Sequence, residues 1–152
     1  MHFPVDHPLR GLYRGLAILV GLFQIVFGVV AFIQTRSLSF FDTHGERVLG
    51  LTANPAFGVA SIVFGALVIA LVLIRGRVAF VGLLILGAIL IVNGTFQLAL
   101  IRTSLNYFAF SVTNVVVSFI IGLILLAAGL YSTARTGPVA RPTEPSRHAT
   151  AS

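Results

Sequence analysis

The sequence predicts an all-α integral membrane protein, a four-transmembrane-helix bundle with both termini cytoplasmic. Three observations lead there. Four long apolar runs, at residues 12–34, 55–74, 78–101 and 112–131, fill most of the 152 residues, and their one charged side chain is Arg14, at the start of the first. Mean hydropathy is +1.03 and only 9% of residues are charged, against about 25% in a soluble domain. The arginines, finally, are distributed unequally between the two ends of the runs.

Length settles the conformation of the runs. A bilayer's hydrocarbon core is about 30 Å thick and a helix rises about 1.5 Å per residue, so roughly 20 residues span it. Each run meets that length. Lipid offers no water to a bare peptide group, so each run must close its hydrogen bonds internally as a helix. The first run is longer than the 7–15 residues of a secretory signal core, and no small-x-small cleavage pattern follows it before Thr35, so it reads as a retained span.

Orientation follows from charge. An even number of spans puts both ends of the chain on one side, which then carries Arg10, Arg14, Arg75, Arg77, Arg135, Arg141 and Arg147. The other side carries Arg36, Arg47 and Arg102. Cytoplasmic loops hold the excess of basic residues, which places both termini and the Arg75-Gly76-Arg77 turn in the cytoplasm. Tyr13 and Tyr131 then fall at the inner interface, and Phe40, Phe41, Tyr107 and Phe108 at the outer one. The net charge of +6 is no nucleic-acid signature: all ten basic residues are arginines, and most flank the apolar runs rather than forming a stripe interleaved with aromatics.

In chain order, His7-Pro8 marks a helix start. In the loop that follows the first span, Thr43-His44-Gly45-Glu46 fits a capping box and predicts a short surface helix over 45–50. Asn54-Pro55 is a cap followed by proline at the first helical position. After Tyr131, residues 133–152 form a polar, proline-containing tail expected to be disordered. A duplication is visible: Leu19-Val20-Gly21 with Ile25-Val26-Phe27-Gly28 matches Ile85-Leu86-Gly87 with Ile91-Val92-Asn93-Gly94. Ser61 to Leu67 likewise matches Ser118 to Ile124, which predicts two helical hairpins as parallel repeats.

Between helices in lipid, close packing and hydrogen bonds must replace the hydrophobic effect. Every span has two glycines seven residues apart: Gly21 and Gly28, Gly58 and Gly65, Gly87 and Gly94, Gly122 and Gly129. Seven residues is nearly two turns, so each pair shares a face open to a neighbouring backbone. Polar residues form the other signal. Asn93 and Gln97 share one face of the third span, and Asn114 and Ser118 one face of the fourth, all in the outer half, with Ser61 at similar depth and Gln24 nearer the middle. They read as an interhelical clasp or as a small polar cavity.

Reactive chemistry is sparse. No acidic, lysine or histidine side chain lies within a span, which argues against proton relays and ion-coupled transport. The absence of cysteine removes disulfides, thiolate metal sites and cysteine nucleophiles. Ser37, Ser39, Ser104 and Ser111 have no companion base, which argues against a hydrolase. Asp42, His44 and Glu46 offer oxygen and nitrogen ligands to a divalent metal, or equally a capped helix start with an ion pair to Arg47. The expectation is therefore no catalytic residue, no cofactor and no metal. The expected partners are the bilayer and either copies of this chain or other membrane subunits. The sequence favours a non-enzymatic accessory or scaffold subunit. The alternative is a binder or passive conduit for a small molecule, lipid or quinone that uses Asn93, Gln97, Asn114 and Ser118.

One resemblance supports the topology. Asp6-His7, Leu12-Tyr13-Arg14, Phe40-Phe41-Asp42-Thr43, Gly45 to Leu51, Asn54, Asn93-Gly94, Thr103-Ser104, Asn106 to Phe110 and Asn114 to Phe119 resemble an actinobacterial family of four-span proteins, a domain of unknown function (DUF4383). The likeness runs from Asp6 to Tyr131, although the third span lacks the family's Asn-Met start. It implies a plasma-membrane protein of high-GC bacteria and supplies no activity.

Overall fold

The computed structural model describes residues 9–132. Among them are four helices, α1 (Leu9–Thr35), α2 (Pro55–Ile74), α3 (Gly76–Leu100) and α4 (Val112–Ser132), with a two-stranded sheet, β1 (Glu46–Val48) and β2 (Leu51–Ala53), between α1 and α2. All four helices are long and apolar enough to cross a membrane. The bundle has two ends. The hairpin end holds β1–β2 and the α3–α4 loop; the turn end holds the α2–α3 connection. The His7-Pro8 helix start and the 133–152 tail lie outside the described residues.

Helix boundaries extend past the apolar runs where polar residues still favour helix. α1 begins at Leu9 and passes through Arg10 and Arg14, because arginine is a good helix former whose long stem reaches toward water. α3 begins at Gly76, directly after Arg75, which ends α2 with φ 64°. The α2 cap forms as the sequence predicts: Asn54 Oδ1 accepts from the Phe57 N–H at 2.8 Å, with Pro55 at the first position.

Glycine brings each hairpin together. A Cβ on Gly21 would lie 3.0 Å from the Gly65 carbonyl oxygen, and one on Gly28 would lie 2.5 Å from that of Gly58. In the other hairpin a Cβ on Gly87 would lie 2.8 Å from the Gly122 oxygen. Gly21–Gly65 and Gly87–Gly122 occupy matching positions of the duplication and make the same contact in α1–α2 and α3–α4. Gly94 and Gly129 instead face side chains, Phe119 and Leu84. All eight spaced glycines therefore serve packing within the chain. α1 and α4 join the hairpins, while α2 and α3 diverge and touch far less.

The core has two parts. Ala17, Val20, Val68, Val72, Leu83, Ile121, Leu125 and Ala128 fill the half toward the turn end. Phe27 and Ala31 of α1 pack with Val48, Leu51 and Ala53 of the sheet at the other. The outward faces carry large apolar side chains such as Leu19, Leu73 and Phe96, as lipid contact requires.

The predicted surface helix over 45–50 is absent; that segment is the β1–β2 hairpin. Leu49 and Gly50 have φ 50° and 87°, the left-handed pair of a two-residue hairpin turn, and Val48 pairs with Leu51 across it. Asp42, not Thr43, organises the approach: its carboxylate accepts the His44 and Gly45 N–H groups, each at 2.9 Å. Local pattern favoured a capping box, but burial of Val48, Leu51 and Ala53 against α1 decides for the sheet.

Candidate functional site

Three buried asparagines lock the hairpin end. Asn54, besides capping α2, donates from Nδ2 to the carbonyls of Asp42 (2.8 Å) and Tyr107 (2.7 Å), which ties the two loops to each other. Asn106 pins its own loop by accepting the Phe110 N–H (2.8 Å) and donating to the Phe110 carbonyl (2.9 Å). Asn114 completes the sheet. Val48 and Leu51 flank the turn and exchange ladder bonds, so the next pair, Arg47 and Thr52, points its peptide groups outward. Asn114 Nδ2 donates to the Thr52 carbonyl (2.7 Å), and its Oδ1 accepts the Thr52 N–H (2.9 Å) and the Ser111 hydroxyl (2.7 Å). Its amide stands where a third strand would.

Below this lock, the divergence of α2 from α3 leaves a cavity of about 210 Å³. Each helix contributes a polar group to its wall: Gln24 from α1, Ser61 from α2, Asn93 from α3, and Asn114 and Ser118 from α4. The rest of the lining is apolar, and Phe57, Phe108 and Phe110 close it toward the hairpin. The Phe57 ring meets that of Phe110 edge-on at 5.0 Å. Toward the turn end, Val68 and Leu125, one turn beyond the lining residues Phe64 and Ile121, are fully buried in the core.

Ser61 is 2% exposed and its Oγ has no hydrogen-bond partner. Helical hydroxyls ordinarily bond back to the preceding turn, as Thr35 does to Ala31 and Thr95 to Ile91. Ser61 does not. Gln97, 6% exposed, likewise leaves Oε1 unpartnered. It lies not in the cavity but in a shallower groove of about 510 Å³ on α3, shared with Asn93, Val92 and Phe96. The structure thus brings Asn93, Asn114 and Ser118 together with Gln24 and Ser61, and places Gln97 one step outside. Asn114 faces the cavity but spends its amide on the sheet. Asp42, His44 and Glu46 do not converge: among the described residues no group of three potential ligands is placed to hold a metal.

Four long apolar spans, lipid-compatible outer faces and an amphipathic cavity define a multi-pass four-helix membrane protein with a hairpin at one end of the bundle. The chain belongs to the family described as a domain of unknown function, DUF4383, which it matches over residues 14–131. Neither curated proteins nor solved structures yield a match.

Proposed function

We propose that this protein is a non-enzymatic membrane protein that holds a small amphipathic molecule in the cleft between α2 and α3. The occupant has an apolar body and a compact hydrogen-bonding head, such as a quinone or lipid fragment. The observation that carries this reading is Ser61 Oγ, buried and unpaired on the wall of a cavity to which every helix adds a polar group. An unpaired buried hydroxyl costs roughly 1–3 kcal/mol, and a ligand acceptor or donor would remove that cost. The fully buried apolar core at Val68 and Leu125, one turn beyond the cavity lining, favours a holding site over a passive conduit. The arginine distribution supports both termini facing the cytoplasm of a bacterial plasma membrane, which puts the cleft in the outer leaflet.

The test is mass spectrometry of organic extracts from the protein purified in mild detergent. Wild type is expected to carry a stoichiometric small molecule that Ser61→Phe, by filling the cavity, excludes and that Ser61→Ala retains less well. Extracts holding bulk lipid alone, or a Ser61→Phe variant with undiminished ligand, would overturn the reading.

A second reading, an accessory or scaffold subunit of a homo- or hetero-oligomer, draws support from Gln97. Its unpaired oxygen in the α3 groove suits a donor from a neighbouring helix. Native mass spectrometry tests it: a defined oligomer that Gln97→Leu disperses supports the reading, and a monomer speaks against it.

A further inference from the structure

The cleft cavity opens sideways. Of the residues that line it, Ala60 of α2 and Ile89 of α3 are the exposed ones, Ile89 at 51%, and the rest are buried or half-buried. Both exposed residues lie inside helices apolar enough to cross a membrane, where α2 and α3 diverge. The mouth between them therefore faces lipid rather than water. At about 210 Å³ the cavity falls below the roughly 300–1,000 Å³ of pockets that enclose a whole drug-sized ligand. It has room for a compact head, and a longer apolar body must lie outside. The α3 groove starts at that mouth: Ile89 and Asn93 line both cavity and groove. From Asn93 toward the turn end its floor is Ile85, Ala88 and Ile89, wholly apolar, while Gln97 lies on the other side of Asn93. Residues 85–93 cover about 12 Å of helix. No charged side chain lines cavity or groove, so an ionised head would be desolvated there without a partner.

We infer that the cleft takes an uncharged, long-tailed amphiphile directly from the surrounding lipid. Its head passes between Ala60 and Ile89 to bond Ser61 Oγ, and its tail lies along Ile85, Ala88 and Ile89 of α3. This tail bed rests on the cleft site proposed above and adds to it the class of the occupant and its route of entry. A water-borne solute finds no such mouth, because Phe57, Phe108 and Phe110 stand between the cavity and the hairpin.

The test is thermal unfolding of the full chain, delipidated in neutral detergent, with two pairs of probes that share a head and differ in tail. One pair is ubiquinone-0 and decylubiquinone, the other monobutyrin and monoolein, each titrated by its measured mole fraction in the micelle. In at least one pair the tailed probe is expected to bind wild type at least tenfold more tightly than its short homologue. Ala88→Trp fills the groove without lining the cavity, so it should remove that gain and leave the short probe's affinity within twofold of wild type. Val92→Trp, also in the groove alone, replaces it if Ala88→Trp does not fold. Leu19→Trp, on the exposed face of α1, should behave as wild type, and Ser61→Phe should lose both probes. Equal affinity for short and tailed probes, or a gain that Ala88→Trp keeps or Leu19→Trp also loses, would overturn the tail bed and leave the cleft site standing. Stabilisation by none of the four, or binding that Ser61→Phe leaves unchanged, would overturn both.

Discussion

Replacing Asn54 separates capping from tethering, because one side chain performs both. Asn54→Ala removes the acceptor for the Phe57 N–H and both donors to the Asp42 and Tyr107 carbonyls, three bonds of 2.7–2.8 Å at a fully buried position. A lost N-cap costs about 1 kcal/mol, and each stranded buried carbonyl about 1–3 kcal/mol, toward the low end where water can enter. The sum is roughly 3–4 kcal/mol. Asn54→Ser keeps a cap oxygen and loses both tethers, so about 2 kcal/mol is expected. Asn54→Asp also keeps the cap but aims a carboxylate at two carbonyls, and should cost at least as much as alanine. Reversible unfolding in mixed micelles, followed by circular dichroism, gives the three values. The reasoning is refuted if serine and aspartate both stay within about 0.5 kcal/mol of wild type, since the cap alone would then account for Asn54.

Gly65→Ala puts a Cβ 2.5 Å from the Gly21 carbonyl oxygen and should cost about 1–3 kcal/mol by forcing α1 from α2. Gly15→Ala, with nothing within 4 Å, should stay within about 0.5 kcal/mol in the same unfolding assay. Asn114→Leu keeps volume but strands both Thr52 peptide groups; proteolysis should cut the hairpin faster while helical circular dichroism holds. The Asp42 carboxyl sits below its ordinary value of 3.8, because first the Gly45 and then the His44 N–H favour its charged form. A lowered folded-state value means the turn is fully supported above the unfolded value and loses that support as pH falls through the lowered one. Amide protection at His44 and Gly45, corrected for intrinsic exchange, should be level near neutrality and decline below roughly pH 4. The substitution Asp42→Asn keeps an acceptor without a titrating group and should flatten the profile.

The spans are legible because burial in lipid is a one-dimensional constraint: length and absence of charge suffice. So is the Asn54 cap, whose partner Phe57 is three residues away. The hairpin is harder, since Thr43-His44-Gly45-Glu46 satisfies a helix rule locally. The competing signal was the small alternating segment Val48-Leu49-Gly50-Leu51-Thr52-Ala53, with glycine in its turn, and only packing against α1 decides between them. The tethers from Asn54 to Tyr107 and from Asn114 to Thr52 join residues more than fifty positions apart and leave no local trace. The polar residues of the cavity were visible as residues. That Gln97 falls outside while Gln24 and Ser61 fall inside depends on how far α2 and α3 diverge, which no spacing encodes.

The central claim is a bundle crossing the bilayer four times, with the hairpin end and the turn end on opposite faces. The chain has no cysteine, so single cysteines at Ser104, in the exposed α3–α4 loop, and at Arg77, beside the α2–α3 turn, report sidedness directly. With a membrane-impermeant maleimide on intact cells, Ser104→Cys is expected to label and Arg77→Cys to label only after permeabilisation. Labelling of both positions from the same side would contradict the account.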